Sequence, residues 1–178
     1  TKTKDITGGL PSVAELFEAR KAKDSAIIAE NDGKVLFGKE LRGKQKVSIV
    51  SESGETSNYL IPKGKHINFN QGETIKKGEY LLDGQPLPHD ILRILGIEEL
   101  TDYFVNQVQD VYRLQGVIIN DKHIETILRQ MLKKIEIKES GDSNYLPGEM
   151  IDRIKFNDLN DKLKLENKNP AKGERVLM

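Results

Sequence analysis

The sequence predicts an α+β fold, in which a small β barrel-sandwich packs with a three-helix region and with a looser C-terminal strand and helix. Apolar residues recur at helical spacing from Pro88 to Lys134, which favours helices there. From Ala26 to Asp83 they occur instead in short or alternating runs, which is typical of antiparallel strands. Strands and helices thus occupy separate stretches of the chain.

The helical stretch contains three apolar sets, each spaced so that it lies on one face of an α-helix. Gly96 and Gly116 follow the first two sets, where a left-handed C-terminal residue is favoured, and Asn120 suits the N-cap of the third helix. The sets are Ile91, Leu92 and Leu95; Leu100, Phe104, Val108, Val111 and Leu114; and Ile124, Ile127, Leu128, Met131 and Leu132.

The β-rich stretch has turn residues between its apolar runs, and this regular spacing predicts a small sandwich or barrel. The turns are expected at Asn31-Asp32-Gly33, Ser53-Gly54, Gln71-Gly72 and Lys77-Gly78. The segment QGETIKKGEYLLDG is similar to the barrel-sandwich domains of biotinyl and lipoyl carriers. Such carriers present a modifiable lysine on an exposed hairpin, and the sequence has no such hairpin, so a carrier-like domain is only an alternative.

The flanking segments carry weaker signals. Val13, Leu16 and Phe17 predict a short helix that stops near Arg20, and the run IEIKES predicts a strand. Pro147-Gly148-Glu149 is expected to open a helix through Met150, Ile154 and Phe156. The tail from Asp158 to Lys172 predicts a surface helix followed by a mobile linker. Both ends are interpreted as cuts in a longer protein, because the chain lacks an initiator Met and Val176-Leu177-Met178 has nothing after it to pack against.

Composition excludes several classes of function. The 178 residues include no cysteine, so disulfides and thiolate sites are excluded, and no run approaches the roughly 20 apolar residues of a membrane span. Lys+Arg and Asp+Glu are 28 each, so nucleic-acid contact requires a local basic cluster. The acidic residues are scattered singly, unlike the carboxylate clusters that hold Mg²⁺, and no catalytic motif occurs.

Two basic runs are candidate phosphate contacts. Lys39, Arg42, Lys44 and Lys46 lie close together in GKELRGKQK, where the glycines allow a phosphate backbone to approach. The alternative is a lysine-rich hairpin that keeps a strand edge from aggregating. Arg20, Lys21 and Lys23 follow the first helix, where the alternative is a solvated helix end.

Three colinear motifs together resemble one family, the C-terminal part of the β′ subunit of bacterial DNA-directed RNA polymerase. They are DITGGLPSVAELFEAR, PHDILRILGIEEL and VNQVQDVYRLQGVIINDKHIETILRQMLKKIEI, at Asp5–Arg20, Pro88–Leu100 and Val105–Ile137. The resemblance covers Asp5 to about Met150 and weakens in the charged tail. Ser12 and Ala22 depart from it, because the family usually has Arg and Pro there.

The resemblance implies four segments of a fragment of this nucleotidyltransferase. Residues 1–25 resemble the end of the trigger loop and its following helix, 26–87 the β-rich jaw, 88–134 a helical cleft segment, and 135–178 a strand, a helix and a charged tail. The fragment itself is expected to be non-catalytic and to act in the cytoplasm. The Mg²⁺ and Zn²⁺ of the whole subunit are expected to have their ligands outside this chain, which leaves no cofactor here.

The resemblance also implies partners and contact residues. Arg20, Lys21, Lys39, Arg42 and Lys44 match basic positions that face the phosphates of downstream duplex DNA. Glu30 matches an acid on a surface used by transcription regulators. The other implied partners are the β, α, ω and sigma subunits, with no membrane. A module that mainly docks regulators or subunits is therefore the alternative to a DNA-positioning role.

Overall fold

The computed structural model describes residues 13–20 and 25–178. They form two compact units: a β-rich unit that ends at Leu95, and a helical unit of residues up to Arg20 together with Gly96–Met178. The mixed α+β class is confirmed. No helix among the described residues is long and apolar enough to cross a membrane.

The described residues of the β-rich unit form six antiparallel strands. They are β1 (Ile27–Ile28), β2 (Gly33–Leu41), β3 (Lys44–Val50), β4 (Thr56–Pro62), β5 (Thr74–Ile75) and β6 (Tyr80–Leu82). A four-stranded sheet has the order β4-β3-β2-β5, and β1 pairs with β6. Inward side chains of both sheets form one core, which includes Ala29, Val35, Val47, Ile49, Ile61, Ile75, Leu81 and Leu82. The curled sheet and its cover agree with the predicted small barrel-sandwich.

The end of this unit differs from the predicted α-helix. A single turn, α1 (Pro88–Asp90), continues as a π-helix over Ile91–Leu95. The wider π-helix turn changes which residues share a face. Ile91 and Leu92 are buried as expected, but Leu95 is 38% exposed and Ile94 is buried instead. Gly96 has φ 99° and ψ −175° and precedes the next helix, so it is not the left-handed helix end that we predicted.

The helical unit contains two helices that contact each other, α2 (Ile97–Leu114) and α3 (Asp121–Met131). Gly116 has φ 72°, as predicted for the end of α2. The Asn120 side chain accepts from the Lys122 N–H at 3.0 Å, which confirms the predicted N-cap. Residues 13–17 are helical, and the Phe17 ring lies 5.6 Å from that of Phe104.

The predicted apolar faces of α2 and α3 are only partly correct. Leu100, Phe104, Val108, Ile124, Leu128, Met131 and Leu132 are buried. Leu114 and Ile127 are 71% and 44% exposed, whereas Gln109 is only 4% exposed. A polar residue therefore occupies a core position that the apolar pattern did not reveal.

The C-terminal part is more ordered than the sequence indicates. It contains β7 (Lys134–Glu139), β8 (Met150–Asp152), α4 (Arg153–Leu165) and β9 (Lys172–Arg175), in a sheet of order β8-β7-β9. The predicted strand is confirmed as β7. The prediction of a helix beginning at Pro147–Glu149 is wrong, because Met150–Asp152 pairs with β7 and α4 begins at Arg153.

The predicted mobile linker and unpacked end are also wrong. Lys172–Arg175 pairs with the other edge of β7, and Leu177 is only 4% exposed. The Met178 N–H donates to the Met131 carbonyl at 3.1 Å. Charge and Asn-Pro composition indicated disorder here, but pairing with a distant strand outweighs that local preference.

Candidate functional site

The β2–β3 hairpin ends in a two-residue turn, Arg42-Gly43. Both residues have positive φ, 49° and 74°. Leu41 and Lys44 form the closing pair of the strands. This is the backbone pattern of a type I′ turn, for which Asn-Gly is the favoured sequence. Arg42 therefore occupies a position that disfavours its residue type.

The predicted basic residues lie together at this end of the sheet. Phe37 pairs with Val47 and Glu40 with Gln45, so two residues, Gly38 and Lys39, face the single residue Lys46 in a β-bulge. A Cβ on Gly38 would lie 3.3 Å from the Lys46 Cβ, so the glycine permits a close approach.

This end of the sheet carries exposed cations. Lys39, Arg42 and Lys44 are exposed, and no acidic side chain within the described residues forms an ion pair with them. The acid between them, Glu40, lies 3.7 Å from Lys63. We call residues 38–46 the basic hairpin.

Arg20 is the other predicted phosphate contact that the structure describes. Its guanidinium is exposed and lies 2.5 Å from the Glu18 carboxylate. The neighbouring carboxylate reduces the positive potential that Arg20 presents to a phosphate. Lys21, Ser12, Ala22 and the trigger-loop segment Thr1–Leu10 lie outside the described residues.

Glu30 takes part in a small polar network. Its carboxylate lies 2.7 Å from the Arg93 guanidinium, which also contacts Asp90 at 3.1 Å. The Glu30 N–H donates to the Tyr59 hydroxyl at 3.1 Å. Burial, with the Glu30 charge as a smaller contribution, raises the pKa of Tyr59. Burial opposes ionisation of Arg93, but the two carboxylates outweigh it and raise the pKa of the guanidinium.

A comparison with known families identifies the protein's lineage. A family model described as RNA polymerase Rpb1, domain 5, matches residues 6–161. The chain belongs to this family. Rpb1 is the largest subunit of DNA-directed RNA polymerase, so the chain belongs to the machinery of transcription and to an enzyme that works with other polymerase subunits. The predicted polymerase lineage is thus confirmed.

In this Rpb1 domain 5 protein, sequence reasoning missed a second basic site. Arg129, Arg153 and Arg175 line one pocket of about 300 Å³ in the helical unit, together with Thr101 and Glu125. Burial, and then the charge of Arg153, lowers the pKa of Arg175. The positive charges of these arginines repel one another, and an anion bound in the pocket would reduce that repulsion. No motif could reveal this set, because its arginines come from three separate elements.

Among residues 13–20 and 25–178, no group of three or more His, Asp or Glu side chains is placed to hold a metal ion. Several acids of the β-rich unit contact backbone N–H groups or basic side chains. For example, Asp32 accepts from the Lys77 N–H at 2.5 Å.

Proposed function

We propose that this Rpb1 domain 5 chain is part of a bacterial β′ subunit, in which the β-rich unit is the jaw and holds downstream duplex DNA. The chain positions DNA and anchors the trigger loop, while the catalytic residues lie elsewhere in the subunit. Its partners are the β, α, ω and sigma subunits, and its location is the cytoplasm.

The observation that best supports DNA contact is the turn of the basic hairpin. A left-handed L-residue costs about 1–2 kcal/mol, and asparagine avoids much of this cost. The chain instead has Arg42 there, with φ 49°. Arg42 breaks a local backbone rule at a tip whose lysines have no acidic partner in the described part of the chain, and binding explains this better than stability does.

The expected contact is electrostatic and independent of DNA sequence. Three exposed cations on a projecting hairpin suit phosphate groups, and lysines without an acidic partner need not break an ion pair to bind. Each phosphate contact contributes about 0.9 to the slope of log affinity against log salt. Removing three such contacts lowers the magnitude of that slope by up to about 2.7.

The test is a salt titration of binding to a short fluorescent duplex by fluorescence anisotropy. The hairpin variant carries Lys39→Gln, Arg42→Asn and Lys44→Gln, which suit their backbone positions. A matched control carries Lys155→Gln, Lys162→Gln and Lys164→Gln on α4, where all three lysines are exposed. Both variants lose three positive charges, so an effect of net charge alone changes both equally. The proposal requires the slope to fall only in the hairpin variant.

A second candidate function, regulator docking at Glu30, has a specific observation in its favour. Arg93 is shared by two carboxylates, Glu30 and Asp90, so this patch keeps a net negative charge that suits a basic partner. Glu30→Lys should then abolish capture of a regulator by the jaw, whereas Arg93→Gln, which breaks the same ion pair, should strengthen it. If both variants lost regulator capture equally, the Glu30–Arg93 ion pair would have a structural role, and Glu30 would be excluded as the docking residue.

A further inference from the structure

Strand β4 forms one open edge of the four-stranded sheet. It pairs with β3 on one side, and no strand among the described residues pairs with its other side. The Lys63 N–H donates to Gly43 and the Ser51 N–H to Glu55, at 3.0 and 2.9 Å. With this register, the odd-numbered residues of β4 bond to β3.

The even-numbered residues of β4 therefore direct their backbone groups outward. Thr56, Asn58 and Leu60 each present one N–H and one carbonyl along the open edge, whereas the Pro62 carbonyl already accepts from the Lys65 N–H at 3.4 Å. Their side chains lie on the outer face of the sheet, where Leu60 is 56% exposed. The edge thus offers a complete ladder of hydrogen-bonding groups over three successive pairing positions.

This edge lacks most of the devices that normally prevent strand addition. Natural edges are protected by charged side chains, inward-pointing charges or bulges. Thr56–Pro62 contains no charged residue, and its pairing with β3 runs without a bulge. Only Pro62, at the end of the strand, blocks further pairing. An unprotected edge of this length is a template for an added strand.

The charges beside the open edge change from acidic to basic along β4. Glu52 and Glu55 lie at the end where β4 begins. Lys63, whose ammonium also lies 3.7 Å from the Glu40 carboxylate, follows the other end, and Lys44 and Lys46 lie opposite Pro62 and Leu60 on β3. An antiparallel strand added here would thus meet basic groups at its amino end, Leu60 near its middle and acidic groups at its carboxyl end.

We propose that the open edge of β4 binds an extended segment of a partner protein as an additional antiparallel strand. The segment has acidic residues at its amino end, β-branched or apolar residues in its middle and basic residues at its carboxyl end. Antiparallel pairing is assigned because the sheet is antiparallel throughout and such pairs are the more stable. This site is separate from Glu30 and does not depend on the DNA-binding proposal.

A second copy of β4 fits this edge less well than a free segment does. Antiparallel self-pairing centred on Asn58 would place Gly54 of the copy opposite Pro62, and Gly54 lies in the turn before β4 with φ 88°. The copy would therefore turn away after Leu60. An unconstrained segment can run along the whole edge and reach Lys63.

The experiment uses the full 178-residue chain and a synthetic peptide of about nine residues. The peptide has two glutamates at its amino end, alternating valine and threonine in its middle, and two lysines at its carboxyl end. Asn58→Pro removes the central outward N–H, which makes no bond to β3. Asn58→Ala is the matched control, because both variants lose the bond that the Ser48 hydroxyl donates to the Asn58 side chain at 2.7 Å.

Binding is followed by amide chemical-shift changes. The proposal predicts changes along Thr56–Pro62, and at least tenfold weaker binding to Asn58→Pro than to Asn58→Ala, which keeps the backbone N–H. A peptide of the same composition with its charged ends exchanged should bind several-fold less tightly to the wild-type chain, with a smaller difference at high salt. Equal affinity for the two peptides, shifts elsewhere, or a β4-mediated dimer that excludes the peptide would overturn the proposal.

Discussion

Gln109 is the polar residue in the core of the helical unit, and its replacement by methionine gives a sharp test of the packing described above. Its Nε2 group donates to the Ile119 carbonyl and to the Asp121 carboxylate, both at 2.6 Å. These bonds tie α2 to the segment that leads into α3. Gln109→Met keeps the length of the side chain and removes both bonds.

The expected loss follows from the surroundings of the two acceptors. A neutral bond contributes about 1 kcal/mol and a bond to a charged group about 1.5–3 kcal/mol. Asp121 is exposed and Ile119 is half-buried, so water replaces part of what is lost. The methionine also avoids the desolvation of an amide. The net loss should be about 1–2 kcal/mol, or about 2–8 °C in the melting temperature of a chain of this size.

The assay is thermal and urea unfolding of the 178-residue chain, followed by far-UV circular dichroism. Gln115→Met is the matched control, because Gln115 follows α2 and is exposed. It should leave stability unchanged. A double-mutant cycle with Asp121→Ala should give a coupling energy of about 1–2 kcal/mol. If Gln109→Met proves as stable as the wild type, the reasoning that these two bonds hold α2 to α3 is refuted.

Three further predictions concern single side chains. Arg42→Asn should raise the free energy of unfolding by about 0.5–1 kcal/mol, because asparagine tolerates the left-handed turn, and should weaken DNA binding in the same protein. Burial raises the pKa of Tyr59, so wild-type stability should fall above about pH 10, where the unfolded tyrosine ionises first. Tyr59→Phe should lose that alkaline dependence in urea titrations, and a persisting dependence would exclude Tyr59 as its source. The hydrogen bond from Lys134 lowers the pKa of Asp152, so its contribution is present above about pH 4 and is lost as the pH falls. Acid titration of Asp152→Asn should give a flatter stability profile, and an unchanged profile would contradict this assignment.

The sequence predicted best the features that depend on near neighbours. The Asn120 cap, the Gly116 helix end and the strands between turn residues all follow from local backbone preference and apolar spacing. The basic hairpin belongs to the same class, since Lys39, Arg42 and Lys44 are close in sequence and one turn brings them together. Local signals therefore sufficed for the fold class and for this part of the candidate site.

Features made by distant segments were not predictable from the same signals. The sequence predicts that Met150–Asp152 is helical, because a helix follows it, but pairing with β7 makes this segment a strand. The sequence predicts that Leu177 is not packed against other residues, but its side chain is buried in the helical unit. The arginine pocket could not be predicted for the same reason, since Arg129, Arg153 and Arg175 meet only in the folded chain. A periodic pattern records which residues share an element, and not what that element packs against.

The two proposed interactions of the β-rich unit use different chemical groups of neighbouring strands, and this makes them separable. Phosphate binding would depend on the side chains of Lys39, Arg42 and Lys44, whereas strand addition would depend on backbone N–H groups of β4. Asn58→Pro changes no charge and should leave the salt dependence of DNA binding intact. The hairpin variant retains every outward N–H of β4, so it should weaken peptide binding only through the loss of Lys44, which lies opposite Pro62. If instead each variant abolished both activities, the assignment of the two interactions to separate sites would be wrong.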